Sequence, residues 1–147
     1  MAVTVIKGAD LAAKDRSFWF RKGASSDPYF VIRIKNKTYT SEYKAQTLNP
    51  VWKSSDFDLG YITEAETDLL EIEILDYDAF SSDDFMGMVR VTASALFRLG
   101  PGQHTYWFQL SDSNKHKGEL VSGKILVNFK IEVTCETFVE CGRCSIL

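Results

Sequence analysis

Strict two-residue alternation is the feature that most limits what this chain can become. Residues 69–75 read Leu-Leu-Glu-Ile-Glu-Ile-Leu, with apolar and acidic side chains taking turns. Successive side chains of a strand point to opposite faces, so the pattern fits a strand with one dry face and its glutamates in water. The rhythm recurs. Val3 and Val5, running on toward Leu11, open a first strand; residues 29–34 form a second and the Thr/Tyr-rich residues 37–43 a third. Asn49-Pro50 is a turn signal before residues 51–59, which hold Trp52 and Phe57. Residues 86–91, 105–110 and 124–133 complete the set, while 62–68 and 92–97 each have room for a turn or two of helix. Eight short strands joined by loops predict an all-β fold, an eight-stranded antiparallel β-sandwich. One domain over residues 1–133 is expected, with 134–147 leaving the alternation as a flexible tail.

Charge and cysteine usage narrow the function. A net charge of −3 on 147 residues creates no global basic field, so no nucleic-acid partner is expected. The three cysteines fall at 135, 141 and 144, which argues against a secreted disulfide framework. The N-terminus lacks the pattern of a signal peptide, and no run of apolar residues is long enough to span a bilayer. A cytoplasmic monomer is the expectation.

Aspartates cluster in two loops. One holds Asp15 and Asp27; the other reads ILDYDAFSSDDFMG and holds Asp76, Asp78, Asp83 and Asp84. Converging carboxylates repel in a partly dry site, and hard oxygen donors at that density suit Ca2+, which takes six to eight of them. The plainer reading is a pair of solvated turns. An EF-hand is excluded, because Ser81 stands where its loop needs glycine and Gly87 where it needs glutamate. In an up-and-down count of strands the two loops are connections 1–2 and 5–6, which share one end of the sandwich.

The pieces Ser26-Asp27-Pro28-Tyr29, Leu48-Asn49-Pro50-Val51-Trp52 and Asp76-x-Asp78 with Asp84 and Gly87 resemble the C2 domain, a calcium-dependent phospholipid-binding module. The resemblance covers roughly residues 2–133 and implies the C2 fold in its type II topology. It implies calcium ligands at Asp15, Asp27, Asp76, Asp78 and Asp84, with Ser81 as an auxiliary oxygen donor. It also implies that lipid phosphate completes the metal's coordination, favouring a phosphatidylserine-like anionic membrane. The first loop departs from the family, its two aspartates being twelve residues apart where about six is usual.

The additional residues include Phe18, Trp19, Phe20, Arg21 and Lys22. Either the aromatics fold back over the open end of the sandwich, or they insert into a bilayer interface with the two cations among anionic headgroups. On the second reading, about five negative charges hold the metal-free tip away from the membrane. Two bound ions would cancel most of that repulsion, making calcium a charge switch coupled to an apolar anchor. Phe80, Lys115 and Lys117 belong to other connections at this end and join the contact on that reading. A phosphoinositide site of the kind some relatives carry is doubtful here, since Thr40 and Glu42 stand where two of its lysines are expected.

The chain ends Cys144-Ser145-Ile146-Leu147, a loose Cys-aliphatic-aliphatic-X match whose terminal Leu favours a geranylgeranyl group. Cys144 is the expected prenylation site and Cys141 a palmitoylation site; the alternative is an inert terminus. One prenyl chain binds membranes only marginally, so a second signal is needed. About eleven residues separate the last strand from Cys144, enough for roughly 35–40 Å when extended. That reach lets tail and loops engage one membrane only if the domain tilts. The competing functional reading is a constitutively prenylated adaptor on the cytoplasmic face of membranes, with calcium incidental. An enzyme is not expected, because His104 and His116 stand on different connections with no Ser or Cys nucleophile nearby.

Overall fold

The computed structural model describes residues 1–14, 25–63 and 67–134 and the terminal strand at 145–146. Ala2–Ala9 form β1, Pro28–Ile34 β2, Lys37–Thr40 β3 and Phe57–Asp58 β4. Leu69–Asp76 form β5, Asp84–Thr92 β6, Gly102–Gln109 β7 and Lys124–Ile131 β8. These eight strands make two antiparallel sheets, ordered β4-β1-β8-β7 and β3-β2-β5-β6. This is the expected all-β sandwich. One core joins the sheets, with Val3, Val5, Phe30, Ile32, Ile72, Ile74, Ile125, Val127 and Phe129 all inaccessible to solvent. Each such side chain contributes on the order of 1.5–3 kcal/mol by leaving water.

Strand length follows the strength of the pattern. In β5, Leu70, Ile72 and Ile74 point inward and Glu71 and Glu73 outward. The expected strand over 51–59 shrinks to the two residues of β4, with Val51 making only an isolated bridge to Lys7. The cause is local. Lys53 adopts φ 46°, a left-handed conformation that breaks the extended run, and the Trp52 and Lys53 amides both donate to the Ile6 carbonyl. The third strand likewise stops at Thr40, short of Tyr43.

The short helix α1 (Ala93–Leu99) begins where the Thr92 hydroxyl accepts the Ala95 amide at 3.2 Å. The other helical expectation fails at its described positions: Ile62, Thr63, Thr67 and Asp68 are not helical. The tail region adds a small ladder that alternation did not signal. Val133–Thr134 (β9) pairs antiparallel with Ser145–Ile146 (β10). No helix among the described residues is long and apolar enough to cross a membrane.

Register sets which loops meet. Pro28 lies opposite Asp76 and Asp76 opposite Asp84, so the β1–β2 and β5–β6 connections emerge at one end. Ala9 pairs with Lys124, which brings the β7–β8 connection to that end as well. The approach is close. A Cβ on Gly123 would stand 2.5 Å from the Ala9 and Asp10 carbonyl oxygens at a φ of +88°, so this junction requires glycine.

Candidate functional site

Asp76 continues the inward stripe of Leu70, Ile72 and Ile74, so its carboxylate ends the core and is only 3% exposed. A buried carboxylate is costly unless hydrogen-bonded or paired. Its Oδ1 accepts the Asp27 amide at 2.6 Å, a contact that joins the β1–β2 and β5–β6 connections. Asp27 is tied further: its Oδ1 accepts the Gln46 amide at 2.6 Å and its carbonyl the Tyr77 amide at 3.1 Å. Three connections therefore converge on one residue.

The Asn49-Pro50-Val51-Trp52 stretch explains how Asp27 is held. The Trp52 indole donates to the Pro28 carbonyl at 3.2 Å and meets the Phe30 ring edge-on at 5.3 Å. Residues 44–50 then strap the base of the first loop, with the Thr47 amide on the Ser26 carbonyl and the Leu11 amide on the Leu48 carbonyl. Ser26 is fully buried. Its hydroxyl accepts the Lys14 amide at 2.9 Å and donates to the Ala12 carbonyl at 3.2 Å, clipping the two limbs of the loop together.

The β5–β6 connection is held by its own side chains. Asp78 Oδ1 accepts the Phe80 amide at 2.8 Å, and Oδ2 accepts the Ser81 hydroxyl at 2.5 Å. These two donors, the hydroxyl foremost, hold the exposed Asp78 carboxyl below the usual aspartate range. Asp83 Oδ1 accepts the Asp78 amide at 2.9 Å, and Oδ2 accepts the Tyr29 hydroxyl at 2.6 Å. Burial, followed by that bond to a carboxylate, pushes the Tyr29 phenol up. Phe80 projects from the tip with its side chain wholly in water.

Of the sequence-predicted ligands, Asp27 and Asp76 are in contact, Asp78 and Ser81 bond each other, and Asp84 opens β6 across from Asp76. Asp15, Phe18, Trp19, Phe20, Arg21 and Lys22 lie outside the described residues, as do Cys141 and Cys144. The donor set at this end is hard oxygen, the chemistry calcium prefers. Among the described residues, however, no three His, Cys, Asp or Glu side chains stand close enough to hold an ion. Asp27 and Asp76 approach through an amide rather than across a gap.

Sequence reasoning placed Asp83 between ligand positions and did not foresee its bond to Tyr29. Nor did it foresee the stacked Tyr43–Tyr77 pair, with centroids 4.6 Å apart, beside an open groove of about 760 Å³. Tyr29 does stand in the Ser-Asp-Pro-Tyr motif, so a signal for part of this arrangement was present. The histidines are engaged elsewhere: His104 lies 3.0 Å from the Gly100 carbonyl, and His116 stacks on Phe85.

A sequence profile described as the C2 domain matches residues 1–110. The chain belongs to the C2 domain family. It is 36% identical over 98 residues to human "Multiple C2 and transmembrane domain-containing protein 1", covering 67% of this chain but only 9% of that protein. It thus spans a small part of that relative's length. Arabidopsis thaliana "Protein C2-DOMAIN ABA-RELATED 11" is 27% identical over 141 residues, 96% of this chain and 75% of that protein. Among solved structures, the calcium-bound C2A and C2B domains of Extended-Synaptotagmin 2 superpose with a TM-score of 0.71 at 23% identity, covering 90% of this chain and 45% of that one. That likeness carries the fold.

Proposed function

We propose that this C2 domain, of type II topology, binds anionic phospholipid membranes in response to calcium. Asp15, Asp27, Asp76, Asp78 and Asp84 act as ligands, with Ser81 as an auxiliary donor. Phe18, Trp19, Phe20 and Phe80 form the insertion tip, and Arg21 and Lys22 meet the headgroups. The observation that carries the reading is the contact between Asp27 and the buried Asp76 carboxylate, which puts two acid-bearing loops against each other. A divalent cation there offsets charge that the sandwich holds in a partly dry place. Prenylation of Cys144, with Cys141 open to palmitate, supplies the second anchor on the cytoplasmic face.

Sedimentation with phosphatidylserine-containing vesicles tests this. At physiological ionic strength, where weak surface electrostatics are screened, the unprenylated chain is expected in the pellet with calcium and in the supernatant with chelator. Asp78→Asn, at an exposed position, should raise the calcium needed by about tenfold, the equivalent of about 1.4 kcal/mol. Equal partition with and without the metal rejects the trigger.

The adaptor reading, with a prenyl anchor and calcium incidental, draws support from the Asp78 carboxylate, both of whose oxygens already accept bonds from its own loop. A Cys144→Ser chain that stays in the cytosol when calcium rises would favour it.

A further inference from the structure

The outer face of the β4-β1-β8-β7 sheet carries cations that the described chain does not neutralise. Residues opposite each other in antiparallel strands share a face, so Lys7, Leu126 and Trp107 form a row across β1, β8 and β7. Val51, bridged to Lys7, extends the row by one. Lys124 stands two residues from Leu126 on the same side of β8. The Lys7 ammonium lies 5.6 Å and the Lys124 ammonium 4.9 Å from the Trp107 ring centroid. Neither ammonium forms an ion pair or hydrogen bond among the described residues. Trp107 is nevertheless 43% exposed and Val51 49%.

Two like charges over one ring repel each other. At an exposed site each gains only about 0.5–1 kcal/mol from the ring. An external anion would relieve that repulsion. The apolar members of the row narrow which anion. An exposed indole beside Leu126, in a row that ends at the exposed Val51 and carries two lysines, is the composition of a membrane-interface belt. Position agrees. Lys124 opens β8 beside Ala9, so the row abuts the end where the acidic connections emerge. The β9–β10 ladder follows β8 at the opposite end. A domain lying on this face would bring both ends to the level of the lipid.

We propose that the Lys7–Trp107–Lys124 face docks on anionic bilayers without calcium, a second contact that the metal-dependent loops do not supply. The experiment is flotation of the full chain with phosphatidylserine/phosphatidylcholine vesicles in chelator, at low ionic strength. Lysines near such a surface contribute about 1 kcal/mol each, so Lys7→Ala with Lys124→Ala should weaken this partition about 30-fold. The double Lys→Arg variant should restore it, and high salt should remove it. Vesicles should shield part of the tryptophan fluorescence from acrylamide in wild type and a smaller part in Trp107→Phe. Absence of binding in chelator, or an unchanged partition of a folded double-alanine variant, overturns the proposal. So would binding to polyglutamate but not to vesicles. Binding in chelator that calcium does not strengthen would reject the calcium reading alone, and binding seen only with calcium would reject this one, so the two readings fail separately.

Discussion

The two outer faces of the sandwich handle charge in opposite ways. On the β3-β2-β5-β6 sheet, cations and acids alternate across strands: Arg33 meets Glu73 at 2.5 Å and Arg90 meets Glu71 at 3.0 Å. On the other sheet, Lys7 and Lys124 converge on Trp107 without a carboxylate partner among the described residues. Exposed ion pairs contribute little to stability, yet a face laced with them is electrically quiet. The unlaced face keeps its charge for something outside the molecule. Which residues sit across from each other decides this, since both faces are built from the same kinds of strand.

The largest effect tests whether the faces differ only at the surface. Both sheets share one core, so Phe129→Ala beneath the Trp107 face should cost about 3–5 kcal/mol and Ile72→Ala beneath the laced face about 2–5 kcal/mol in urea unfolding. A much smaller loss on one side would mean that the sheets differ in more than charge.

Smaller effects separate the faces themselves. A double-mutant cycle on Arg33 and Glu73 should return a coupling of about 0.2–1 kcal/mol. Lys7→Ala and Lys124→Ala should each leave stability within about 0.5 kcal/mol, because no buried partner is orphaned. A coupling of zero in the cycle, or a clear loss at Lys7, would erase the contrast.

The finest test is titration. Asp58, at the edge of the unlaced sheet, is held low by the Gly60 amide and by Lys37; Asp78 is held low by Ser81 and Phe80. A carboxyl depressed on folding contributes stability above its unfolded pKa and loses it as pH falls through the folded value. Carboxyl-carbon NMR should therefore find both groups titrating below the ordinary aspartate range. Ser81→Ala should move Asp78 upward and leave Asp58 where it was.

How much of this was legible depended on distance along the chain. Residues 69–75 announced β5 and its inward face, because burial and sequence share a period of two. The strand expected over 51–59 failed because a single left-handed residue, Lys53, leaves no mark in hydrophobicity. β10 was invisible, being two residues long and dependent on a partner at 133–134. The acidic end was legible because carboxylates are conspicuous and two loops could be counted to one end. Its stitching was not, since Tyr29 and Asp83 lie far apart in sequence. Lys7, Trp107 and Lys124 likewise come from three strands, and only register assembles them.

Ser26 has a consequence beyond its own hydrogen bonds. Because its hydroxyl ties Ser26 to both Ala12 and Lys14, the chain leaving β1 and the chain entering β2 are fastened on either side of residues 15–24. The scaffold is therefore insulated from the length of what it displays. A lineage can add or remove residues beyond that fastening, and so retune how the domain meets its target, without renegotiating the pairing of a single strand.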